Sequence, residues 1–222
     1  MTQRNVIVTG GTGGLGQSVV AAFLAAGDRV VVPWIVAAEA ERVRARFAHA
    51  VLVEADVADD AGAAAVAKSA GDAAVLVNGV GGFAMGAHQE TPLDVWDRLY
   101  RMNVRAAASM TRAALPGMLA RGAGAIVNVA AAAALDPPAD MGAYTASKAA
   151  IVAFTRSLAR EVAPKGVRVN AVLPTTIDTP GNRAAMPDAN FALWTKPEQI
   201  AAAIAWLASD AASGVRGALV PL

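Results

Sequence analysis

Tyr144 and Lys148 lie in the run Tyr-Thr-Ala-Ser-Lys, four residues apart. On a helix that spacing brings both side chains to one face, so an ammonium can lie beside a phenol. A positive neighbour favours the phenolate, which predicts a Tyr144 pKa lowered toward neutrality and a phenol able to donate or accept a proton. A second pattern opens the chain. In Val8-Thr-Gly-Gly-Thr-Gly-Gly-Leu-Gly16, the glycines Gly10, Gly14 and Gly16 follow a short β-branched run and precede an apolar helical pattern. A turn without β-carbons lets a pyrophosphate approach the backbone and the positive N-terminus of the next helix. Each pattern alone also occurs as a surface neighbour pair or a plain strand–helix turn. In this order they point to a nicotinamide-dependent oxidoreductase, its tyrosine moving a proton while the dinucleotide moves a hydride.

The elements that must position these residues alternate along the chain. Apolar β-rich runs at Asn5–Thr9, Arg29–Val32, Ala50–Glu54, Val75–Asn78, Ala125–Val129, Val167–Val172 and Ala218–Pro221 read as strands. Gly14–Ala26, Ala37–Phe47, Ala61–Ala70, Leu93–Arg121, Tyr144–Ala163 and Pro197–Ala208 read as helices. The strands are continuously apolar rather than alternating, so both faces of the sheet are buried. The expected fold is α/β: one Rossmann-type, doubly wound parallel sheet of about seven strands with helices on both faces. Thr91-Pro92 before Leu93-Asp94 predicts a helix start with a Thr N-cap. Gly27, Gly71 and Gly166 read as helix C-caps. No linker divides residues 1–222, so a single dinucleotide-binding and catalytic domain is expected. The irregular stretch 173–195, with Pro174, Pro180 and Pro187, is too long for an ordinary connection and is a candidate substrate lid.

Composition narrows the classes. With no cysteine there is no disulfide framework and no thiolate nucleophile or metal site. His49 and His88 stand alone, so no metal site is expected. A formal net charge of +1 gives no footprint for nucleic acid or an anionic membrane. The longest nearly apolar stretch, Ala125 to Leu135, is interrupted by Asn128 and is far shorter than the ~20 residues of a membrane span. Met1-Thr2-Gln3-Arg4-Asn5 leads directly into a strand-like run, without a secretory signal. The expectation is a soluble cytoplasmic protein acting on a small molecule.

Over nearly its whole length the chain resembles the short-chain dehydrogenase/reductases. The resemblance rests on the glycine turn, Tyr144 and Lys148, Asp56-Val57 after the third strand, Asn78-Gly79-Val80-Gly81, Asn103, and Pro174-Thr-Thr-Ile177-Asp-Thr179. It implies an NAD(P)(H) site lined by Gly10, Thr12, Gly14, Leu15, Gly16, Asp56, Val57, Asn78, Gly79, Gly81, Pro174, Ile177 and Thr179. Asp56 would contact adenine, while the Ile177 backbone and Thr179 would hold the nicotinamide carboxamide. Tyr144, Lys148 and Asn103 would be catalytic, Lys148 also holding the nicotinamide ribose and Asn103 supporting a water chain to the lysine. Family members commonly pair the two helices Leu93–Arg121 and Tyr144–Ala163 across a two-fold axis. Small residues there (Ala106, Ala107, Ala108, Ala149, Ala150, Ala153) fit that, implying a homodimer or homotetramer. At the end of the second strand, where NAD-preferring members carry an acid, this chain has Trp34, and no arginine adjoins it to take a 2′-phosphate. Trp34 either covers the adenosine or packs the strand end. NAD versus NADP stays open.

The family's serine lies thirteen positions before the tyrosine. Here that position is Ala131, and Ala130 to Ala134 offer no hydroxyl. The dihydropteridine reductases share that alanine, and this chain is similar to them locally: in Ala133-Ala134-Leu135-Asp136 with Met141, in the loop Gly81-Gly82-Phe83-Ala84-Met85-Gly86, and from Val172 to Arg183 in the lid. A quinonoid dihydropterin is an activated imine that accepts hydride without a polarising hydroxyl. A flat substrate would stack on Phe83, unless Phe83 merely fills the core. Asn182 and Arg183 either meet a polar substrate or hydrogen-bond within the loop. Two other readings stand beside this one: a ketone/alcohol dehydrogenase lacking the serine, and a dinucleotide-sensing protein without turnover. Arg42, Arg44 and Arg46 read as a solvated helix face. His88, Asp136 and Asp140 are assigned no role.

Overall fold

Seven strands, β1 (Asn5–Thr9), β2 (Arg29–Trp34), β3 (Val51–Glu54), β4 (Ala73–Asn78), β5 (Gly124–Val129), β6 (Val167–Leu173) and β7 (Leu219–Pro221), pair in the order β3-β2-β1-β4-β5-β6-β7, all parallel. The computed structural model describes residues 3–222. Met1 and Thr2, the start of the segment read as leaderless, lie outside the described residues. The chain runs outward from β1 to β3, then returns beside β1 with β4 and continues to the opposite edge. That reversal opens a crevice at the carboxyl ends of β1 and β4.

Alternate strand residues face opposite sides. Ile7, Val31, Leu76, Ile126 and Val169 pack with Val66, Met110, Met118 and Val162 on one face. These partners come from α3 (Asp60–Ala70), α5 (Ala106–Arg121) and α6 (Gly142–Val162). Val6, Val8, Val30, Val75 and Val127 pack on the other with Val19, Phe23, Ile200 and Ile204. Those belong to α1 (Gly14–Ala25) and α8 (Pro197–Leu207). Two buried faces explain why the strands read as unbroken apolar runs. Among the described residues no helix is long and apolar enough to cross a membrane.

Two sequence expectations change. The helix expected over Leu93–Arg121 is α4 (Leu93–Tyr100), a π-turn at Arg101–Arg105, and then α5. Thr91 does not cap α4. Pro92 holds the cap position, and the Thr91 hydroxyl donates to the Gly86 and Ala87 carbonyls at 3.2 and 2.9 Å, closing the preceding loop. The irregular stretch 173–195 contains α7 (Pro180–Ala185), capped by Thr179, and is pinned by an Ile177–Thr195 bridge. Gly27, Gly71 and Gly166 do end helical turns, each with positive φ.

Candidate active site

The glycine turn sits at the end of β1. Gly10 has φ +69°, and a Cβ there would lie 2.6 Å from the Gly79 carbonyl oxygen, so only glycine fits. Thr9 fastens this turn to the loop after β4: its hydroxyl accepts from the Gly79 and Val80 amides at 3.0 and 3.3 Å and donates to the Val77 carbonyl. The N-terminus of α1 opens from the turn without an acidic residue in its first turn, leaving its positive end available to an anion. A cradle of bare backbone at a helix N-terminus fits a dinucleotide pyrophosphate.

At the other end of the crevice, α6 carries Tyr144 and Lys148 one turn apart. Lys148 is buried and donates to the Val129 carbonyl at 2.9 Å, which fixes the ammonium at the end of β5. A Cβ on Gly81 would lie 2.8 Å from Asn103 Oδ1 and 3.2 Å from Lys148 Nζ, so Gly81, Asn103 and Lys148 line one spot. The π-turn delivers Asn103. Its Oδ1 accepts from the Gly82 amide at 2.7 Å, and its Nδ2 donates to the Gly82 carbonyl and to Ser147 Oγ, at 3.1 and 2.8 Å. Ser147 Oγ in turn donates to the Tyr144 carbonyl at 2.7 Å. Phe83 meets Tyr144 edge to face, with centroids 4.9 Å apart. A cleft of about 290 Å³ is lined by Ala84, Met85, Val95, Asp140, Met141 and Ala143, two of which adjoin Phe83 and Tyr144 in sequence.

The electrostatics depart from the simplest expectation. Burial pushes the Tyr144 phenol above its ordinary value instead of lowering it. Burial also lowers Lys148 to about 8. Lys148 Nζ lies 6.0 Å from the Tyr144 ring centroid and donates to a main-chain carbonyl.

The model of the short chain dehydrogenases matches residues 4–190. The chain belongs to this family. A 2-(R)-hydroxypropyl-CoM dehydrogenase of Xanthobacter autotrophicus is 36% identical over 237 residues, covering 97% of this chain and 95% of its own. A galactitol 2-dehydrogenase of Rhizobium johnstonii is 37% identical over 238 residues, covering 98% and 92%. A crystal structure of a short-chain dehydrogenase/reductase family oxidoreductase from Burkholderia thailandensis superposes with a TM-score of 0.91 at 32% identity, covering 100% of this chain and 91% of its own.

Within this short-chain dehydrogenase several assigned residues are engaged otherwise than expected. Asn78 ends β4 at the crevice, and its Oδ1 is buried without a hydrogen-bond partner among the described residues. The residue is 4% exposed, and its amide donates to Asn128 Oδ1 and Thr111 Oγ1 at 2.8 and 3.2 Å, tying β4 to β5 and α5. The Val57 side chain is in the core, and Leu15 is partly buried against the cluster that contains α1. Asp56 accepts from the Ala58 amide at 2.9 Å and from Arg101 at 2.8 Å. Pro174 is buried and its carbonyl accepts from the Ala132 amide. Thr179 accepts from the Asn182 amide at 3.2 Å, and its methyl would lie 2.8 Å from a Cβ on Gly14. Asn182 and Arg183 are engaged within their own segment: Asn182 donates to the Ile177 carbonyl, and Arg183 pairs with Asp178 and covers the Phe191 ring. Trp34 is partly buried at the end of β2, with its carbonyl on the Ala55 amide. Phe83, by contrast, is 54% exposed and is not core filler. Ala131 follows Val129 closely and is 6% exposed at the end of β5.

Sequence reasoning missed Thr9, Ser147 and Arg101. The first two carry a signal, since each directly precedes a residue that was singled out, Gly10 and Lys148. Arg101 carries none, because its partners Asp56 and Asp59 are more than forty residues away.

Proposed function

We propose that this chain is an NAD(P)H-dependent reductase of a flat, activated imine or quinonoid substrate, as in the dihydropteridine reductases. The observation that carries the reading is the exposed Phe83 ring standing against Tyr144, with Ala131 where a polarising hydroxyl would otherwise be. The glycine turn and Lys148 would hold a dinucleotide between them in the crevice, and that group would supply the hydride. Tyr144, kept protonated by its burial, donates its phenolic proton to the substrate heteroatom. Lys148 steadies the resulting phenolate by its charge and the nicotinamide ribose by hydrogen bonding. Asn103 is held by Gly82 and reaches the Tyr144 carbonyl through Ser147. Phe83 offers a face for a planar ring, and residues 173–195 close over it as a lid.

A second reading is an alcohol/ketone dehydrogenase. The names of the two bacterial relatives favour it, both being dehydrogenases of hydroxylated compounds. One experiment separates the two. NADH and NADPH oxidation would be followed with a quinonoid dihydropterin and with simple ketones, using wild type, Ala131→Ser and Tyr144→Phe. The imine reading expects turnover of the pterin by wild type, its loss in Tyr144→Phe with dinucleotide affinity kept, and no gain from Ala131→Ser. If Ala131→Ser instead raises ketone turnover by ~10²–10³ and wild type ignores the pterin, the site is a carbonyl site lacking its donor. The chain is further proposed to act as a homodimer or homotetramer in the cytoplasm, through α5 and α6.

A further inference from the structure

In a doubly wound sheet the adenosine ribose lies between the glycine turn after the first strand and the end of the second, where an acid takes the 2′-hydroxyl or a base the 2′-phosphate. Here Trp34 ends β2, and Ile35 and Val36 follow it, 69% and 47% exposed. The strand end therefore brings neither charge. A charge arrives instead from α2 (Ala37–Arg46). Glu39 stands in its first turn, and Glu39 Oε2 accepts from the Thr12 hydroxyl at 2.7 Å. Thr12 belongs to the glycine turn, and its carbonyl is held by Gln17 Nε2 at 3.1 Å. The carboxylate thus reaches from α2 to the turn, across the place where the ribose must lie. Its other oxygen, Oε1, lies 4.0 Å from Arg42, whose side chain is 63% exposed. Arg46 turns away to Gln17 Oε1 at 3.2 Å and to the Phe47 ring. The innermost charge is negative, and the arginines stand outside it.

We propose that Glu39 selects the dinucleotide, accepting a hydrogen bond from the adenosine ribose 2′-hydroxyl of NAD(H) and repelling the 2′-phosphate of NADP(H). This rests on the dinucleotide reading of the crevice given above. One carboxylate oxygen stays with Thr12 while the other serves the ribose, so the acid absent from the β2 end is replaced from the following helix. A phosphate dianion at that point would meet a fixed carboxylate at close range, before it could reach Arg42.

Calorimetric titration with NADH and with NADPH tests this on wild type, Glu39→Gln and Glu39→Lys, with thermal melting to confirm that each is folded. Wild type is expected to bind NADH more tightly, by about tenfold or more. Glu39→Gln should narrow that ratio by about tenfold, chiefly through tighter NADPH binding, and Glu39→Lys should invert it. Equal ratios in wild type and Glu39→Gln, with both dinucleotides bound, would overturn the assignment of Glu39 alone. A wild-type preference for NADPH would overturn it equally. Binding of neither dinucleotide to folded wild type would instead overturn the dinucleotide reading, and this inference with it.

Discussion

The Phe83 ring stands edge-on to the Tyr144 ring, with centroids 4.9 Å apart and planes at 73°. Phe83 keeps more than half of its surface open to solvent in that position. Edge-to-face pairs of this kind add about 0.5–1.5 kcal/mol beyond area burial, enough to hold both rings in place before a substrate arrives. Phe83→Ala is therefore expected to raise KM for flat aromatic substrates by roughly tenfold while sparing small aliphatic ketones, since a contribution of that size corresponds to about one decade. Steady-state kinetics on both substrate classes checks it. An equal loss on both would mean that Phe83 only props Tyr144.

The pH dependence of reduction should be set by Lys148. Burial holds its pKa at about 8, while burial moves Tyr144 upward from an already high value. Reductive kcat/KM should then be level below neutrality and fall through about pH 8 as the ammonium loses its proton, well before Tyr144 titrates. Stability runs the other way. The unfolded lysine keeps its proton up to its ordinary value of 10.5, so the native state gains stability as pH rises between about 8 and 10.5. A rate profile flat to pH 10 would contradict the first expectation, and a melting temperature that falls steadily over that interval would contradict the second.

Gly14 faces the Thr179 side chain. A Cβ there would lie 2.8 Å from the Thr179 methyl. Gly14→Val should displace Thr179 as well as crowd the pyrophosphate, weakening dinucleotide binding by about a hundredfold or more in a folded protein. In the double variant Gly14→Val/Thr179→Gly, part of that affinity should return. Calorimetry that finds wild-type affinity in Gly14→Val would remove the turn from the cofactor site.

The outer faces of α5 and α6 form a groove of about 280 Å³ lined by Ala108, Leu115, Pro116, Leu119, Phe154 and Leu158. Of the small residues on these helices, Ala106 and Ala107 face the core, whereas Ala108, Ala149 and Ala153 are exposed. Light scattering at micromolar concentration should give a dimer or a tetramer, and Leu115→Asp should shift it toward monomer. A monomeric wild type at that concentration would exclude this contact.

The strands and most helices were legible because both sheet faces are buried, which leaves unbroken Val- and Ile-rich runs between helical patterns. The glycine turn, Tyr144 and Lys148 were legible through spacing alone. Other features depend on partners remote in sequence. Nothing in Leu93–Arg121 interrupts the helical pattern at Asn103, so the π-turn is decided by what Asn103 and Arg101 bind in three dimensions. Asn78 carries the family's residue type, but its amide is taken by Asn128 and Thr111 across the sheet. The Tyr144 pKa moves upward instead of downward because spacing reports proximity on a helix face and says nothing about how deeply the phenol is buried.

The five-residue π-turn holds one residue more than a regular helix would need. Its first residue, Arg101, grips Asp56 after β3, and Asn103 grips Gly82 after β4. Deleting any single residue from this segment would leave a perfectly good helix, with hydrogen bonds restored and the core in register on one side. It would also turn everything on the other side by about 100°. Both grips could not survive together. The length of this stretch is therefore constrained more tightly than its composition, and a gap placed there would mark a divergent chain that has lost one of the two grips.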